Sequence, residues 1–362
     1  MRVKVQELQE GCILSEDVFS RTSRPIIPQK TILTKELIDF LHAFLIREVR
    51  VEKRLVNGMI FVPSEILEDE KNESAKEKDT KDETFTELFL KSVNEYKKEF
   101  NSWQSGLPVN ISRVRAIILP LIEKSEASSS ELFFLHHFST ENEYIFQHSI
   151  AVGLICGFIG KKLNYQRGDV VQLVLAGCLS DCGMAKIPAH VINKKAVLTS
   201  GEFEEVKNHP QYSYKMIQNS SLIREAGKIA IFQHHERLDG SGYPLGKKDQ
   251  EIHPFAKIIA VADTFHAMTS ARLYRKKQSP FKVLEMIKQD NFGKFDIAAI
   301  NALQSGFMNF SIGSRVKLSN GQNAEILFIK DQAPTRPLVR LLDSDEILAL
   351  EKNRDIFIQE IL

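Results

Sequence analysis

Residues 234–244 read HHERLDGSGYP, and this stretch governs the reading of the whole chain. Two adjacent imidazoles close a run with helical apolar spacing over 224–235. The Asp239-Gly240-Ser241-Gly242 turn after them is too rich in glycine to continue a helix. Its glycines supply positive φ and close backbone approach, so the loop should expose Tyr243 and Pro244. Four further residues stand in short distinctive contexts: His148 in FQHS, Asp181 in SDCG, His209 in NHP and Asp263 in VADTF. The gaps from His148 to Asp181, to His209, to His234, and from His235 to Asp263 are 33, 28, 25 and 28 residues. In a bundle of helices of roughly 15–20 residues with short loops, such gaps place one or two ligands on each successive helix, converging inside.

Nine of the ten histidines lie between His136 and His266. Any one of them alone reads as a core or surface residue, but the set with its paired histidines reads as a metal site. Imidazole and carboxylate together suit a first-row transition metal, and an aspartate can bridge two ions. Two bridged ions about 3.5–4 Å apart clamp a phosphoryl group and lower the pKa of a shared water, which is what phosphodiester hydrolysis requires.

On either side of this stretch, residues 109–308 show helix after helix: 114–122, 145–163, 170–179, 201–218, 224–235, 254–270 and 281–289. An all-α domain over 85–310 is expected, opening with an amphipathic connector helix whose stripe is Phe85, Leu88, Phe89, Val93, Tyr96, Phe100 and Trp103. Ahead of it, residues 68–84 hold 12 charged side chains in 17 positions and no large apolar one. This segment cannot offset its ordering entropy by burial, so it reads as a linker. Residues 1–67 form a small α+β domain, with strands around Val3 and Val5 and around Val49 and Val51. A helix begun by Thr34 aligns Leu37, Ile38, Leu41, Phe44 and Leu45. Residues 311–362 read as a small β module around the Asn320-Gly321 hairpin signal.

The composition is that of a globular protein, 43% hydrophobic and 26% charged, with 48 basic against 47 acidic side chains. That balance argues against a protein that coats DNA, and no membrane association is expected. The longest apolar runs, 150–160 and 170–179, are shorter than the ~18 residues of a spanning helix and read as core. The opening MRVKVQELQEGC has no apolar h-region, and Cys12, Cys156, Cys178 and Cys182 form no CxxC pair. Reduced thiols in the cytoplasm are the expectation, with Cys178 and Cys182 in the core rather than on a metal.

With HHERLDGSGYP, the flanking KIPAHVINKKAVLTSGEFEEVKNHP (186–210) and IIAVADTFHAMTSARLYR (258–275), the sequence resembles the HD-GYP family of bacterial signalling phosphodiesterases over about residues 140–305. The resemblance implies an HD-type helical bundle that cleaves cyclic di-GMP. It places metal ligands on His148, Asp181, His209, His234, His235 and Asp263, and substrate contacts on Tyr243, Arg272 and Arg275. One ion would take Asp181, His209, His234 and His235; the other would take His148, Asp181 and Asp263. Iron or manganese is the implied metal, with Asp181 as the shared catalytic carboxylate.

The family's His-Asp-x-Gly-Lys signature is altered here to Ser180-Asp181-Cys182-Gly183-Met184. A metal-ligating histidine has become Ser180, and the lysine beside the scissile phosphate has become Met184. His266 stands where the family usually has aspartate, and Tyr144 stands where some members carry an acid for a third ion. Three protein ligands still hold a catalytic ion with water in the open position, so the second ion is expected to be weakly held, and with histidine and lysine both lost, slow turnover or none is expected. Three readings remain open. The first is a weakened phosphodiesterase. The second is a non-catalytic receptor that senses cyclic di-GMP or docks a protein partner through the GYP loop, as a monomer or homodimer. The third is a hydrolase of another phosphorylated metabolite.

Overall fold

Several helices begin where the sequence supplies a side-chain cap or a proline. The computed structural model describes residues 1–19, 25–67, 83–127, 129–270, 277–290, 293–306, 312–330 and 333–361. Residues 68–82 of the expected linker, and Arg272 and Arg275, lie outside them. The chain forms two compact units, Met1–Lys97 and Lys98–Leu362.

The first unit is α+β. Strand β1 (Arg2–Lys4), the pair β2 (Val18–Phe19) and β3 (Pro25–Ile27), helix α1 (Lys35–Ala43) and β4 (Glu48–Arg50) enclose a core of Val3, Val5, Leu14, Leu33, Leu41, Val49 and Val51. β1 and β4 pair antiparallel with Val3 opposite Val49. Thr34 caps α1, its side chain accepting from the Leu37 amide. The helix stops at Ala43, where Leu45 takes φ 55°. Phe44 and Leu45 are therefore exposed rather than continuing the buried face expected of them.

Helix α2 (Phe85–Gln104) carries the expected aromatic stripe, and the boundary between the units falls within it. Phe85, Phe89, Tyr96, Phe100 and Trp103 are all buried. The second unit continues with α3 (Ile111–Ala127), α4 (Tyr144–Lys162), α5 (Arg167–Leu179), α6 (Ala189–Ile192), α7 (Ser200–Val206), α8 (His209–Ile217), α9 (Glu225–Gln233), α10 (Pro254–Thr269), α11 (Pro280–Glu285) and α12 (Ile297–Ser305). An antiparallel sheet follows: β5 (Arg315–Leu318), β6 (Asn323–Phe328), β7 (Leu338–Leu341), β8 (Ile347–Ala349) and β9 (Ile358–Ile361), in the order β8-β7-β6-β5-β9. The hairpin from β5 to β6 turns at Asn320-Gly321, with Gly321 at φ 85°. The sheet is tied to α11 by a buried, two-pronged Arg336–Glu285 ion pair and by the Ser279 hydroxyl donating to the Ile358 carbonyl. The fold is mainly α: a helical bundle with a small α+β N-terminal part and a small β module at the C-terminal end.

α4 and α5 are the heart of the bundle. A methyl at Gly153 would lie 2.0 Å from the Cys178 sulfur, and one at Gly177 would lie 3.0 Å from the Cys156 sulfur. The two glycines and two thiols thus interlock and let the helices approach closely, with cysteine acting as a small hydrophobe. All four cysteines are buried thiols, none in a disulfide. The segments Tyr144–Lys162 and Arg167–Lys186 do reach the length and mean hydropathy, 1.2, of a membrane span. Unbroken apolar runs do not reveal this, because polar residues interrupt each segment while its average stays high. Of the most apolar stretch of each, 83% and 67% is buried inside the protein, as in core helices.

Candidate metal centre

The expected helix over 201–218 is two helices, and the break builds the site. Pro210 has no N–H to offer the carbonyl of Val206 four residues back, so the ladder fails there. The His209 ring takes that carbonyl instead, Nδ1 to oxygen at 2.7 Å. A carbonyl only accepts, so Nδ1 carries the proton and Nε2 presents a lone pair. The same device recurs at the end of α9. His234 follows Gln233, the last helical residue, and its Nδ1 lies 2.7 Å from the Ile231 carbonyl, one of those a helix end leaves open. Its Nε2 is thereby bare as well.

These two bare nitrogens lie 3.2 Å apart, and both face Asp181 Oδ1, at 3.2 Å from His209 and 3.4 Å from His234. Asp181 Oδ2 turns the other way, 3.4 Å from His148 Nε2. His148, near the start of α4, also lies 3.0 Å from Asp263 Oδ1 on α10. His235 Nδ1 sits 3.8 Å from Asp263 Oδ2. Two groups result: Asp181, His209, His234 and His235, and His148, Asp181 and Asp263, with the ligand atoms of each within 4.8 Å of one another. Asp181 belongs to both, one oxygen to each.

The donor set fits a cation. Two imidazole lone pairs facing one carboxylate oxygen repel unless a positive charge lies between them. The protonation states fit too. Burial alone would raise the Asp181 carboxyl, but the imidazoles of His148, His209 and His234 beside it outweigh that and hold the group well below the usual carboxylate range. Burial would raise Asp263 as well, and there His148 and His235 prevail and lower it. Burial, with His234 alongside, pushes His235 well below the ordinary imidazole value. Burial would lower His148 in the same way, but its hydrogen bonds to Asp181 and Asp263 outweigh that and raise it. Ionised carboxylates and neutral imidazoles are the forms that bind metal, and His148 holds its proton more firmly than usual.

Ser180 and the nearby Lys186 have partners outside the cluster. Ser180 is buried with its hydroxyl donating to the Gly177 carbonyl at 2.8 Å, back along α5. Lys186, two residues after Met184, donates to the Trp103 carbonyl at 3.1 Å. Tyr243 stacks on His235 with ring centroids 4.6 Å apart, and its peptide bond to Pro244 is cis. Lys207 Nζ stands 5.9 Å from the centre of the Tyr243 ring.

Several residues here carried no role in the sequence reading. Glu236, 2% exposed, accepts from the Leu245 and Lys247 amides at 2.8 and 2.9 Å and so clamps the loop. An acid directly after two histidines was the available signal. A methyl at Gly242 would meet the Arg237 nitrogen and His235 oxygen at 2.4 Å, which explains that glycine by close approach rather than φ. Gly183 donates its amide to the Ser213 hydroxyl at 2.8 Å, bringing α8 against the segment after Asp181. Tyr144 and His266, which the sequence marks only as departures from a pattern, both touch His148.

The sequence profile described as "HD domain" matches residues 133–298. A cyclic di-GMP phosphodiesterase of Pseudomonas aeruginosa is 30% identical over 213 residues, 59% of this chain and 51% of that protein. One of Thermotoga maritima is 37% identical over 131 residues, 36% of this chain and 35% of its own length. A 3'3'-cGAMP-specific phosphodiesterase of Vibrio cholerae is 31% identical over 176 residues, 47% and 40% of the two chains. The chain thus spans about half or less of these relatives. Among solved structures, an HDG"Y"P protein from Bdellovibrio bacteriovorus superposes with a TM-score of 0.51, at 14% identity, over 84% of this chain and 97% of that one, a likeness of fold.

Proposed function

We propose that this chain, which carries an HD domain of the HD-GYP type, is a metal-dependent phosphodiesterase that opens cyclic di-GMP or a related cyclic dinucleotide, with weakened turnover. The observation that carries this reading is Asp181. One of its oxygens faces His209 and His234 and the other faces His148, the arrangement a pair of ions needs for a shared carboxylate. The ligands are His148, Asp181, His209, His234, His235 and Asp263, and iron or manganese suits them. Bound there, the ions supply positive charge to the phosphoryl oxygens and acidify a water. The chain does the rest. His209 and His234 are held in their ligating tautomer by backbone carbonyls, Asp181 keeps both groups in register, and Tyr243 offers a ring face at the rim for a guanine base. Arg272 and Arg275 are proposed to pair the phosphates.

A receptor reading has its own support. Lys186 does not stand in for the lysine replaced by Met184, since it is turned to the Trp103 carbonyl, and charge developing on the phosphate loses that partner. Residues 1–67 are proposed as the signal-receiving part, the chain between 68 and 84 as a linker, 85–310 as the catalytic part and 311–362 as an accessory module. Four buried thiols outside any disulfide suit the cytoplasm.

The test is turnover of cyclic di-GMP and 3'3'-cGAMP by protein reconstituted anaerobically with iron or manganese, with products identified by mass. A linear or mononucleotide product that disappears in Asp181→Ala supports the enzyme. Nucleotide bound but intact after hours, with both ions present, replaces it by the receptor.

A further inference from the structure

Three histidines of the centre direct Nε2 at Asp181, but only two have their other nitrogen fixed by an obligate acceptor. His209 and His234 each give Nδ1–H to a backbone carbonyl. His148 Nδ1 instead meets His266 Nδ1 at 3.0 Å and the Tyr144 hydroxyl at 3.1 Å. A phenol and a neutral imidazole can each donate or accept. Neither obliges His148 to carry its proton on Nδ1.

The opposite nitrogen has a strong alternative. Asp263 Oδ1, an ionised acceptor, lies 3.0 Å from His148 Nε2. A proton on Nε2 makes a charge-assisted hydrogen bond to Asp263, while Nδ1 accepts from the Tyr144 hydroxyl or from His266. Both neighbours are closely packed. His266 is 1% exposed with the Ser270 hydroxyl 3.3 Å from its Nδ1, and the Tyr144 ring stacks on His148 at 5.0 Å. An ion at this position must displace that proton and turn the neighbour that donates to Nδ1 into an acceptor. Outer partners of a metal-bound histidine commonly change affinity by about 10–100-fold.

We propose that His266, with Tyr144, is a positioning residue that leaves His148 Nε2 protonated toward Asp263. The position formed by His148, Asp181 and Asp263 is thereby the weaker of the two ion sites. This goes beyond the loss of a ligand at Ser180, because it assigns part of the asymmetry to the tautomer of a ligand that is present. It rests on the reading of these two groups as ion sites, but not on hydrolysis of any nucleotide.

The experiment is a zinc titration of the full chain against a chromophoric chelator, without nucleotide. Wild type takes one tight and one weak equivalent. His266→Asp, an acceptor only, tightens the weak equivalent about tenfold or more and leaves the tight one within about threefold. His266→Asn, which can still donate or accept, changes neither. Two equally tight equivalents in wild type overturn the proposal, as does a weak equivalent unmoved in His266→Asp. A newly buried carboxylate can prevent folding, so a second measurement uses wild type alone. Long-range proton–nitrogen correlation on histidine-labelled protein with one zinc equivalent, with the His148 signal identified by its loss in His148→Gln, reports which nitrogen holds the proton. A proton on Nε2 is expected, and a bare Nε2 with the proton on Nδ1 refutes the assignment. A failed turnover assay leaves this result standing, so the two readings fail separately.

Discussion

Gly183→Ala adds one methyl two residues after Asp181 and 26 residues before His209, yet it should damage the metal centre at both. A β-carbon at Gly183 would lie 2.2 Å from the His209 carbonyl oxygen, 2.4 Å from the Ser213 nitrogen and 2.8 Å from its hydroxyl. Two of these three atoms are backbone, so no side chain can swing away. Ordinary contact begins near 3.4 Å, so α8 must retreat by about 1.2 Å. Overpacking of this kind costs about 1–3 kcal/mol, and the hydrogen bond from the Gly183 amide to the Ser213 hydroxyl adds about 1 kcal/mol when it breaks. His209 opens α8, so its Nε2 moves with the helix and the 3.2 Å approach to Asp181 Oδ1 is lost. The assays are urea unfolding of the metal-free protein and zinc titration of the folded fraction. A loss of about 2–4 kcal/mol in stability and about tenfold or more in the affinity of the tight equivalent is expected. A variant that folds with wild-type stability and binds zinc as tightly would mean that the contact between α8 and the Asp181 segment does not position His209.

Asp181→Ala should lower the occupancy of both ions together, since each carboxylate oxygen serves one group; retention of one full equivalent in metal analysis contradicts the sharing. Ser180→His should raise occupancy of the His148 position, and an unchanged stoichiometry shows that the missing imidazole does not limit it. Glu236→Gln replaces an ionised acceptor of the Leu245 and Lys247 amides, so proteolysis within 239–248 should accelerate with a loss of about 1–3 kcal/mol in stability; equal cleavage rates would dismiss the clamp. Burial raises the pKa of all four thiols, Cys182 to about 12. A raised thiol pKa leaves little thiolate at about pH 8, so alkylation of the native protein should be slow there and rise sharply only in denaturant; rapid labelling without denaturant would count against the packed core.

The helical bundle, the flanking α+β and β parts, and the residue types of the centre can all be read along the chain. Helix periodicity and the Asn320-Gly321 turn are local properties, and HHERLDGSGYP is a contiguous string whose glycines have few alternative uses. Even the break before His209 is legible in principle, since Pro210 withholds one particular hydrogen bond. Packing alone settles how residues far apart in sequence face one another. Asp181 turns one oxygen to His209 and His234 and the other to His148, and no spacing reveals the rotation of a carboxylate. Ser180 and Lys186 are directed away from the centre by the Gly177 and Trp103 carbonyls, and His266 meets His148 across 118 residues. The contacts of His148 with Asp181 and His266 arise from the close approach of α4, α5 and α10. Hydrogen-bond direction is fixed by the packing of whole helices, and a linear pattern records which side chains are present but not which atoms meet.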